Sequence, residues 1–403
     1  MIKKTDYAQY INYALIAYAF SFPLSKAGTN LFEVLALLLW MLEGDWKKKF
    51  ALYKKNLLSI TITFLIGFSL LSILWHGNAE ATFHYVLKYR HFLIIFVFYS
   101  SFDNKYISHI ISAFLAAMFI SEIMSYGIFF ELIHYKNISP LDPTPFMSHM
   151  TYSTVLAFTV NILLVRFFYE KKHKYKLFYL FFFLTATTNL FINGGRTGQI
   201  IFIILLLITI FSSVQHKFKA LIISISTLLL TFFLAYNFSH NFHNRFNMLN
   251  TDIKNTLIHN DYSGSGGARI ALTIMGVDTF IQHPILGTGI AYTMDNIKVY
   301  AQKHHFNGNF FEEFADYHNG FITISVQLGL IGLIISMLII YSLLMYKIKS
   351  KEYKLLSLIF ATSFIMFSFT HNTFHTMNPM IFFALFAGLF NAISTIQTKE
   401  EPL

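Results

Sequence analysis

Long runs of apolar residues with little or no charge make up most of the chain. A run of about 20 such residues is the length that crosses the hydrocarbon core of a bilayer as an α-helix. Only 12% of the 403 residues are charged, whereas a soluble domain carries about a quarter. The 47 Phe and 23 Tyr residues also exclude a disordered chain, because solvated coils are poor in aromatic side chains. The sequence therefore predicts an all-α polytopic membrane protein.

About twelve segments have the length and composition of transmembrane helices. The first two are short, and a single re-entrant hairpin is the alternative interpretation for that pair. The segments cover residues 8–24, 29–43, 57–75, 84–100, 107–133, 149–168, 177–193, 198–214, 219–236, 319–346, 354–371 and 378–396.

The connections between these segments alternate in charge, and twenty of the 30 Lys and Arg residues fall in one set of connections. The positive-inside rule places that set, and with it both termini, in the cytoplasm. The other set then faces outward. The cytoplasmic set holds Lys3, Lys4, Lys47, Lys48, Lys49, Lys54, Lys55, Lys105, Arg166, Lys171, Lys172, Lys174, Lys176, Lys217, Lys219, Lys347, Lys349, Lys351, Lys354 and Lys399.

One outward connection is long enough to fold as a small extramembrane domain. It covers residues 237–318 and holds seven of the 17 His and seven of the 20 acidic residues. We expect transmembrane helices one to nine before it, in residues 1–236. Helices ten to twelve and a cytoplasmic tail follow in residues 319–403.

Several classes of function are excluded by what the sequence lacks. It contains no Cys, which excludes disulfides, Cys-bound zinc, iron–sulfur clusters and a thiol nucleophile. It has no P-loop, no dinucleotide fingerprint and no Ser-nucleophile elbow. The net charge of +10 relates to membrane sidedness rather than to nucleic acid, so no nucleic-acid partner is expected. No zinc spacing appears either, and we expect neither metal nor cofactor. The residues weighed as a cation site were His304, His305, Glu312, Glu313 and Asp316.

Arg196 is the first of three outward residues that stand out. It lies in the segment Gly-Gly-Arg-Thr-Gly at residues 194–198, between the seventh and eighth predicted spans. An Arg at this depth is costly unless it meets an anion or a cavity. The alternative is an Arg that snorkels to the interface. The flanking glycines favour a functional role, because they allow a ligand or another backbone to approach closely.

Arg269 follows a Gly-rich segment, residues 263–268, and begins a predicted amphipathic helix on the membrane surface. A cation in the first turn opposes the helix dipole, but an Arg and a helix N-terminus together suit one bound anion. The alternative is a solvated Arg beside a flexible loop. The apolar stripe that predicts this helix consists of Ile270, Ile274, Val277 and Ile281.

His318 lies where the long loop re-enters the membrane, within the segment Asp-Tyr-His-Asn-Gly at residues 316–320. An imidazole titrates near neutral pH and can act as a general base. A lone interfacial His is more often simply hydrogen-bonded. The functional interpretation gains support because the predicted topology places His318, Arg196 and Arg269 on the same side of the membrane.

Four further basic residues are candidates for binding a pyrophosphate. Three of them lie inside the fourth predicted span, where ionisable residues are costly and therefore suggest function. The alternative for these three is pairing with Glu80 or Glu122. The fourth lies at the outward end of the eleventh span, beside Asn372 and near His375. The candidates are Lys88, Arg90, His91 and His371.

The chain resembles the O-antigen ligase family, within the wider O-antigen ligase/polymerase superfamily. The likeness in architecture covers the whole chain, with twelve spans and one long outward loop, and the motif matches lie between residues 193 and 321. The motifs are Gly-Gly-Arg196-Thr-Gly, Gly-Gly-Ala-Arg269, His283-Pro284-Ile285-Leu286-Gly287-Thr288-Gly289 and His318-Asn319-Gly320.

This resemblance implies a glycosyltransferase of the GT-C type in the bacterial inner membrane, with its active site on the periplasmic side. Such ligases transfer a glycan from undecaprenyl pyrophosphate to a sugar hydroxyl of the lipid A–core. They invert the anomeric centre and need no metal. The two arginines and one histidine that are essential in the family match Arg196, Arg269 and His318.

The physical chemistry of the three residues agrees with that activity. The leaving group is a pyrophosphate whose negative charge grows as the glycosidic bond breaks. The planar guanidinium of Arg suits phosphate oxygens and stays protonated, so arginines are a source of the positive charge that this step needs. His318 would take the proton of the acceptor hydroxyl.

Three other functions remain open at this stage. An O-antigen or capsule polymerase and a protein O-oligosaccharyltransferase would use the same donor. A transporter or flippase is an alternative of another class. Transport would favour charges near the middle of the membrane and two symmetric halves. Here most candidate groups lie at one face, and no internal repeat is seen.

Overall fold

The computed structural model describes residues 4–292, 297–306, 308–311 and 314–399. All regular secondary structure in these ranges is helical, which confirms the predicted fold class of an all-α membrane protein. Short 3-10 helices cover Lys88–Phe92 and Asn104–Tyr106. The α-helices are α1 Lys4–Ser21, α2 Lys26–Glu43, α3 Trp46–Tyr53, α4 Leu57–Leu71, α5 Ile73–His76, α6 Ala79–Leu87, α7 Leu93–Ser101, α8 Ile107–Phe129, α9 His149–Tyr169, α10 His173–Ile192, α11 Arg196–Ser213, α12 Lys217–Phe238, α13 His240–Ile258, α14 Ser265–Gln282, α15 Ile297–Lys303, α16 Gly308–Phe311, α17 Gly320–Leu344, α18 Lys351–Ser368 and α19 Met377–Lys399.

The protein is a multi-pass membrane protein, since eight helical segments of the described chain are long and apolar enough to cross a bilayer. A ninth results if α2 and α3, bent by 113° relative to each other, form one broken span. The predicted count of about twelve stays a prediction. The eight segments are Leu57–His76, Asn104–Phe129, His149–Tyr169, His173–Ile192, Arg196–Ser213, Lys217–Phe238, Gly320–Leu344 and Met377–Thr395.

The predicted segment 84–100 differs from the others because it is not one continuous α-helix. The 3-10 helix Lys88–Phe92 separates α6 from α7. The predicted segments 8–24 and 354–371 correspond to α1 and α18, each of 18 residues, which lie outside the set of eight.

The aromatic residues build the centre of the helical bundle. Helix α9 runs through it, and every residue from 151 to 165 is buried. Phe158 contacts the rings of Phe114, Phe360 and Phe386, two of them edge to face. Such pairs add about 0.5–1.5 kcal/mol beyond the burial of their area. This packing holds α9 rigidly and so fixes the position of its first turn.

The long loop has a hydrophobic cluster of its own. Helix α14 contributes its buried residues to this cluster, which reaches across to α17. The predicted apolar stripe lies on another face of α14, since Ile270, Val277 and Ile281 are exposed. The packing face uses small residues instead, because Gly276 lies directly against Ile322 and Tyr317. The cluster contains Ala268, Ala271, Leu272, Met275, Ile297, Ala301, Phe311, Tyr317 and Val326.

Helix α17 is broken at Gly329, where φ is 64° and ψ is −156°. The segment 283–290, which carries the motif His-Pro-Ile-Leu-Gly-Thr-Gly, lies against this break. Gly287 and Gly329 face each other there, and both have a positive φ that favours glycine. The motif thus satisfies backbone groups that the break in α17 leaves free. The hydrogen bonds are Thr288 N to Val326 O at 2.9 Å, Gly289 N to Gln327 O at 2.9 Å and Leu330 N to Pro284 O at 2.8 Å.

Candidate active site

The structure brings Arg196, Arg269 and His318 to one end of the helical bundle. Arg196 is the first residue of α11, and His318 precedes α17. Arg269 lies in the second turn of α14 and not in the predicted first turn, because the helix already begins at Ser265. The charge of Arg196 acts on Arg269, and the charge of Arg269 acts on His318. Burial and then the neighbouring Arg196 lower the pKa of Arg269. Burial lowers the pKa of His318 most, and the Arg269 charge lowers it further. Arg269 therefore lies within electrostatic range of both Arg196 and His318.

Arg196 lies in a locally cationic environment. Its Nη1 is 3.7 Å from Oδ2 of Asp252 on α13, and its Nε is buried without a hydrogen-bond partner. The charge of Arg245, also on α13, acts on Arg196 as well. Two carboxylates lie near these guanidinium groups, Asp252 at Arg196 and Asp142, whose pKa the Arg245 charge lowers. The unpartnered Nε of Arg196 leaves a donor that an anion could use.

The glycines around Arg196 are explained by packing of the protein on itself. A Cβ at Gly195 or at Gly198 would overlap Ser153 of α9. A Cβ at Gly194 would lie 2.7 Å from Nη2 of Arg245. The sequence suggests that either a ligand or another backbone approaches these glycines closely. The structure shows the second, because other parts of the same chain pack against them. The tight contact with α9 sets the position of the first turn of α11, and so of Arg196.

Arg269 extends from α14 toward the first turn of α9. Its Nη2 is 3.6 Å from Sδ of Met150, a weak acceptor. In the part of the chain that the structure describes, no carboxylate forms an ion pair with it. Its side chain therefore keeps most of its capacity to donate hydrogen bonds.

His318 has a constrained backbone and an unengaged ring nitrogen. Its φ is 48°, in the left-handed region, and its backbone N donates a hydrogen bond of 2.7 Å to Oδ1 of Asp316. The imidazole Nδ1 is buried without a hydrogen-bond partner and lies 3.9 Å from that carboxylate oxygen. The Asp316 charge raises the pKa of His318, but burial outweighs it, so the ring is neutral at pH 7. A neutral imidazole can accept a proton.

The two residues after His318 hold it in place. The Asn319 side chain accepts hydrogen bonds from the backbone N–H groups of Phe321 and Ile322 and so caps α17. Gly320 packs against the His371 carbonyl oxygen, where a Cβ would come within 3.2 Å. The motif His-Asn-Gly therefore combines one ring at the site with a helix cap and a close contact.

His371 joins this site from the segment between α18 and α19. Its ring lies 6.3 Å from that of His318, centroid to centroid, and its Nδ1 is buried without a partner. Burial is the largest cause that lowers the pKa of His371 to about 4. The charges of His318 and Arg269 also act on it. Of the four residues predicted to bind pyrophosphate, this is the one that the structure brings next to His318.

Residues 180–337 match a family model described as O-Antigen ligase. This segment belongs to the O-antigen ligase family. Residues 180–337, called the ligase segment below, contain Arg196, Arg269 and His318. The match confirms the family resemblance of the motifs around these three residues. His371 lies after the segment and α9 before it, yet both contact it in the fold. No curated protein matches the chain.

Two of the three basic residues of the fourth predicted span, Arg90 and His91, contact α2. Nη2 of Arg90 donates a hydrogen bond of 2.9 Å to Asn30, and Nδ1 of His91 lies 2.5 Å from Oε2 of Glu33. For Arg90 and His91, the alternative of pairing with Glu80 or Glu122 is therefore wrong. The 3-10 helix between α6 and α7 changes the direction of these side chains, and helical spacing cannot anticipate that change. Lys88 is exposed, and its charge acts on His375.

Several residues that border the site lie outside the sequence prediction. Asp142 accepts a hydrogen bond of 3.0 Å from Gly194 N and lies 3.3 Å from Nδ1 of His149. Burial alone would raise the pKa of Asp142, but contacts with His149 and Gly194 lower it. Together with Arg245, Asp252 and Met150, these residues have no local sequence signal, because the fold alone brings them close to Arg196 and Arg269.

The residues weighed as a cation site do not form one where the structure describes them. Asp278 lies 2.8 Å from Nζ of Lys303 and 3.5 Å from Nε2 of His304. No group of three or more His, Asp and Glu residues suited to a metal ion occurs in the described ranges. Glu312 and Glu313 lie outside these ranges.

Proposed function

We propose that the protein is an O-antigen ligase of the bacterial inner membrane. It transfers a glycan from undecaprenyl pyrophosphate to a sugar hydroxyl of the lipid A–core, on the periplasmic face, with inversion and without a metal. The family match over residues 180–337 supports ligase- or polymerase-type activity. The observation that carries the finer proposal is the placement of Arg269 within electrostatic range of both Arg196 and a half-buried, neutral His318.

The donor pyrophosphate binds between the N-termini of α11 and α14. Each of these helices has 18 residues, and the first backbone N–H groups of such a helix have no partner within the helix. Arg196 begins α11, Arg269 lies in the second turn of α14, and both add forked donors for phosphate oxygens. A helix N-terminus and an Arg together stabilise negative charge. This charge grows as the bond to the pyrophosphate breaks, so the arginines lower the barrier by stabilising the leaving group.

The acceptor hydroxyl reacts on the His318 side of the donor. Its oxygen attacks the anomeric carbon, the bond from that carbon to the pyrophosphate oxygen breaks, and the hydroxyl proton passes to the imidazole. Attack opposite the leaving group inverts the anomeric centre. Burial keeps His318 neutral, and so ready to accept the proton, at the pH of the periplasm.

A polymerase or a protein O-oligosaccharyltransferase would share the donor half of this site. The acceptor half distinguishes them, and it lies toward His318 and His371. Transport is disfavoured because Arg196, Arg269, His318 and His371 gather at one end of the bundle.

Expression in a strain that lacks its own ligase tests the proposal. The expected result is a ladder of glycan on the lipid A–core, lost in the Arg269→Ala variant at equal membrane expression. A Lys347→Ala variant, at the opposite end of α17 from the site, serves as a matched control and keeps the ladder. Long glycan that stays on the lipid carrier would indicate a polymerase. Glycan on protein with none on the lipid A–core would indicate an oligosaccharyltransferase.

A further inference from the structure

A second cavity lies at the end of the helical bundle opposite His318. Its volume is about 460 Å³, in the range of small-molecule sites. It is enclosed by α3 and the start of α4 on one side and by the ends of α17 and α19 on the other. His318 precedes α17, whereas this cavity lies at the other end of the same helix. A molecule bound here is therefore remote from the candidate active site.

The cavity has an excess of positive charge. Lys48 of α3, Lys55 just after α3 and Lys347 just after α17 all line it. No Asp or Glu is among the described residues of its lining. Lys49, the neighbour of Lys48, is different, because it is buried and its Nζ lies 2.9 Å from Oε2 of Glu43. The cavity therefore suits an anion.

Hydrogen bonds between helices hold the walls of the cavity together. The buried side chains of Asn56 and Asn391 bond to each other twice, with distances of 2.8 and 3.2 Å. The Tyr346 hydroxyl donates a hydrogen bond of 3.1 Å to the carbonyl oxygen of Ala387. These bonds join the start of α4 and the end of α17 to α19. The cavity is thus built where three helices long enough to cross a membrane meet.

The surroundings of the cavity are those of a bilayer surface. Leu57 and Met345 line it and are exposed, although they lie at the ends of the membrane-spanning helices α4 and α17. Helix α3 is bent by 113° from α2 and exposes Trp46 and Phe50, one turn apart, beside its lysines. Such a combination is typical of a helix that lies in the membrane interface. The cavity therefore lies at the level of lipid phosphates.

We propose that this cavity binds an anionic phospholipid from the leaflet opposite the candidate active site. Lys48 and Lys55 donate hydrogen bonds to its phosphate, and its acyl chains pack against Leu57 and Met345. Basic pockets between transmembrane helices recognise head groups of this kind. A soluble phosphate ion fits less well, because it would leave both apolar side chains uncovered. The positive-inside rule explains why lysines occur at this end, but it does not require them to share a cavity.

Two pairs of lysines provide a matched test. Lys47 and Lys54 are the neighbours of Lys48 and Lys55, and they are exposed but lie outside the lining of the cavity. One double variant combines Lys48→Gln with Lys55→Gln, and the control combines Lys47→Gln with Lys54→Gln. Both lose the same net charge, so general attraction to anionic lipid falls equally. We expect the cavity variant to bind phosphatidylglycerol at least tenfold more weakly than the control, a loss of about 1.4 kcal/mol.

Three further measurements define the ligand, all by native mass spectrometry of the full-length protein in detergent. A variant with Lys48→Arg and Lys55→Arg keeps both charges and is expected to bind phosphatidylglycerol as the unmodified protein does. Phosphatidylcholine has the same phosphate but also a positive choline group, and it binds weakly to every variant. Inorganic phosphate at the same concentration does not displace phosphatidylglycerol, because it has no acyl chains.

Each measurement has an outcome that would overturn part of the proposal. Equal affinities of the two Gln variants for phosphatidylglycerol would remove the cavity as its site. Loss of binding in the Arg variant would remove positive charge as the cause. Phosphatidylcholine binding as tight as that of phosphatidylglycerol would refute selection for an anionic lipid. Displacement by inorganic phosphate would identify the ligand as a soluble anion. None of these outcomes alters the ligase proposal, which is tested by glycan on the lipid A–core.

Discussion

The imidazole rings of His318 and His371 lie nearly parallel, with centroids 6.3 Å apart and planes at 23° to each other. They reach this position from two separate segments of the chain, one before α17 and one after α18. Burial lowers the pKa of both, in the case of His371 to about 4. At neutral pH the pair is therefore uncharged beside the cationic Arg269, and the site is suited to accepting a proton rather than donating one.

The pH dependence of transfer reports on His318. The base is active when neutral, so kcat/KM falls as the pH drops through the pKa of His318. Burial and Arg269 place this pKa below its usual value of 6.5, and the Asp316 carboxylate partly counteracts them. In Asp316→Asn that opposing charge is absent, and the pKa falls further. We expect the acid limb of the pH profile to move to lower pH.

The design of this variant keeps the backbone intact. Asn retains an oxygen that accepts the hydrogen bond from His318 N. Asp278→Asn, which alters a carboxylate bound to Lys303, serves as the control and leaves the acid limb in place. An acid limb that moves to higher pH in Asp316→Asn would contradict the assignment of His318 as the base.

Gly198 tests the packing that positions Arg196. A Cβ there overlaps Ser153 of α9, so Gly198→Ala is expected to destabilise the fold by about 1–3 kcal/mol and to misplace the first turn of α11. Gly266→Ala is the matched control, because nothing lies within 4 Å of its Cβ position. Thermal unfolding of the purified variants measures both. A Gly198→Ala protein as stable as the Gly266→Ala protein would refute the tight contact.

The orientation in the membrane is a separate prediction. Basic residues mark the cytoplasmic connections, so a reporter that works only in the periplasm is active when fused after Asn250. The same reporter is inactive after Lys172 or Lys349. Activity at either Lys position would contradict the prediction that the three site residues all lie on the periplasmic side.

The shape of the cation, and not only its charge, matters at Arg196. Lys supplies a point charge without the planar fork, so Arg196→Lys is expected to keep partial activity. Arg196→Ala removes a charged donor at the leaving group and is expected to slow transfer by about 10²–10³-fold. Rates of transfer from a defined lipid-linked donor measure both. Full activity of the Lys variant would show that forked hydrogen bonding is unnecessary.

The sequence predicts the class of fold and the side of the site because both depend on local patterns. Apolar runs indicate spans, and alternating Lys and Arg residues indicate which connections share a side. The three residues Arg196, Arg269 and His318 could be grouped by this reasoning together with the family motifs. Their contacts could not, because they depend on how α9, α13 and α14 pack.

Three features show where sequence patterns are insufficient. The break at Gly329 lies in a continuous apolar run, and a distant segment compensates for it. Arg245 resembles any other polar residue of the long loop until the fold places it over Gly194. His91 pairs with Glu33, which is far from it in sequence, instead of with a nearer carboxylate. In each case the decisive partner comes from tertiary packing.

The most direct test of the account measures donor binding and glycan transfer side by side in purified protein. The variants to compare are Arg269→Ala and His318→Asn, since Asn tolerates the left-handed backbone found at residue 318. The account predicts that His318→Asn binds the lipid-linked donor normally but transfers it about 10²–10⁴-fold more slowly. Arg269→Ala is predicted to lose donor binding. Normal donor binding by Arg269→Ala together with lost binding by His318→Asn would contradict the roles assigned to both residues.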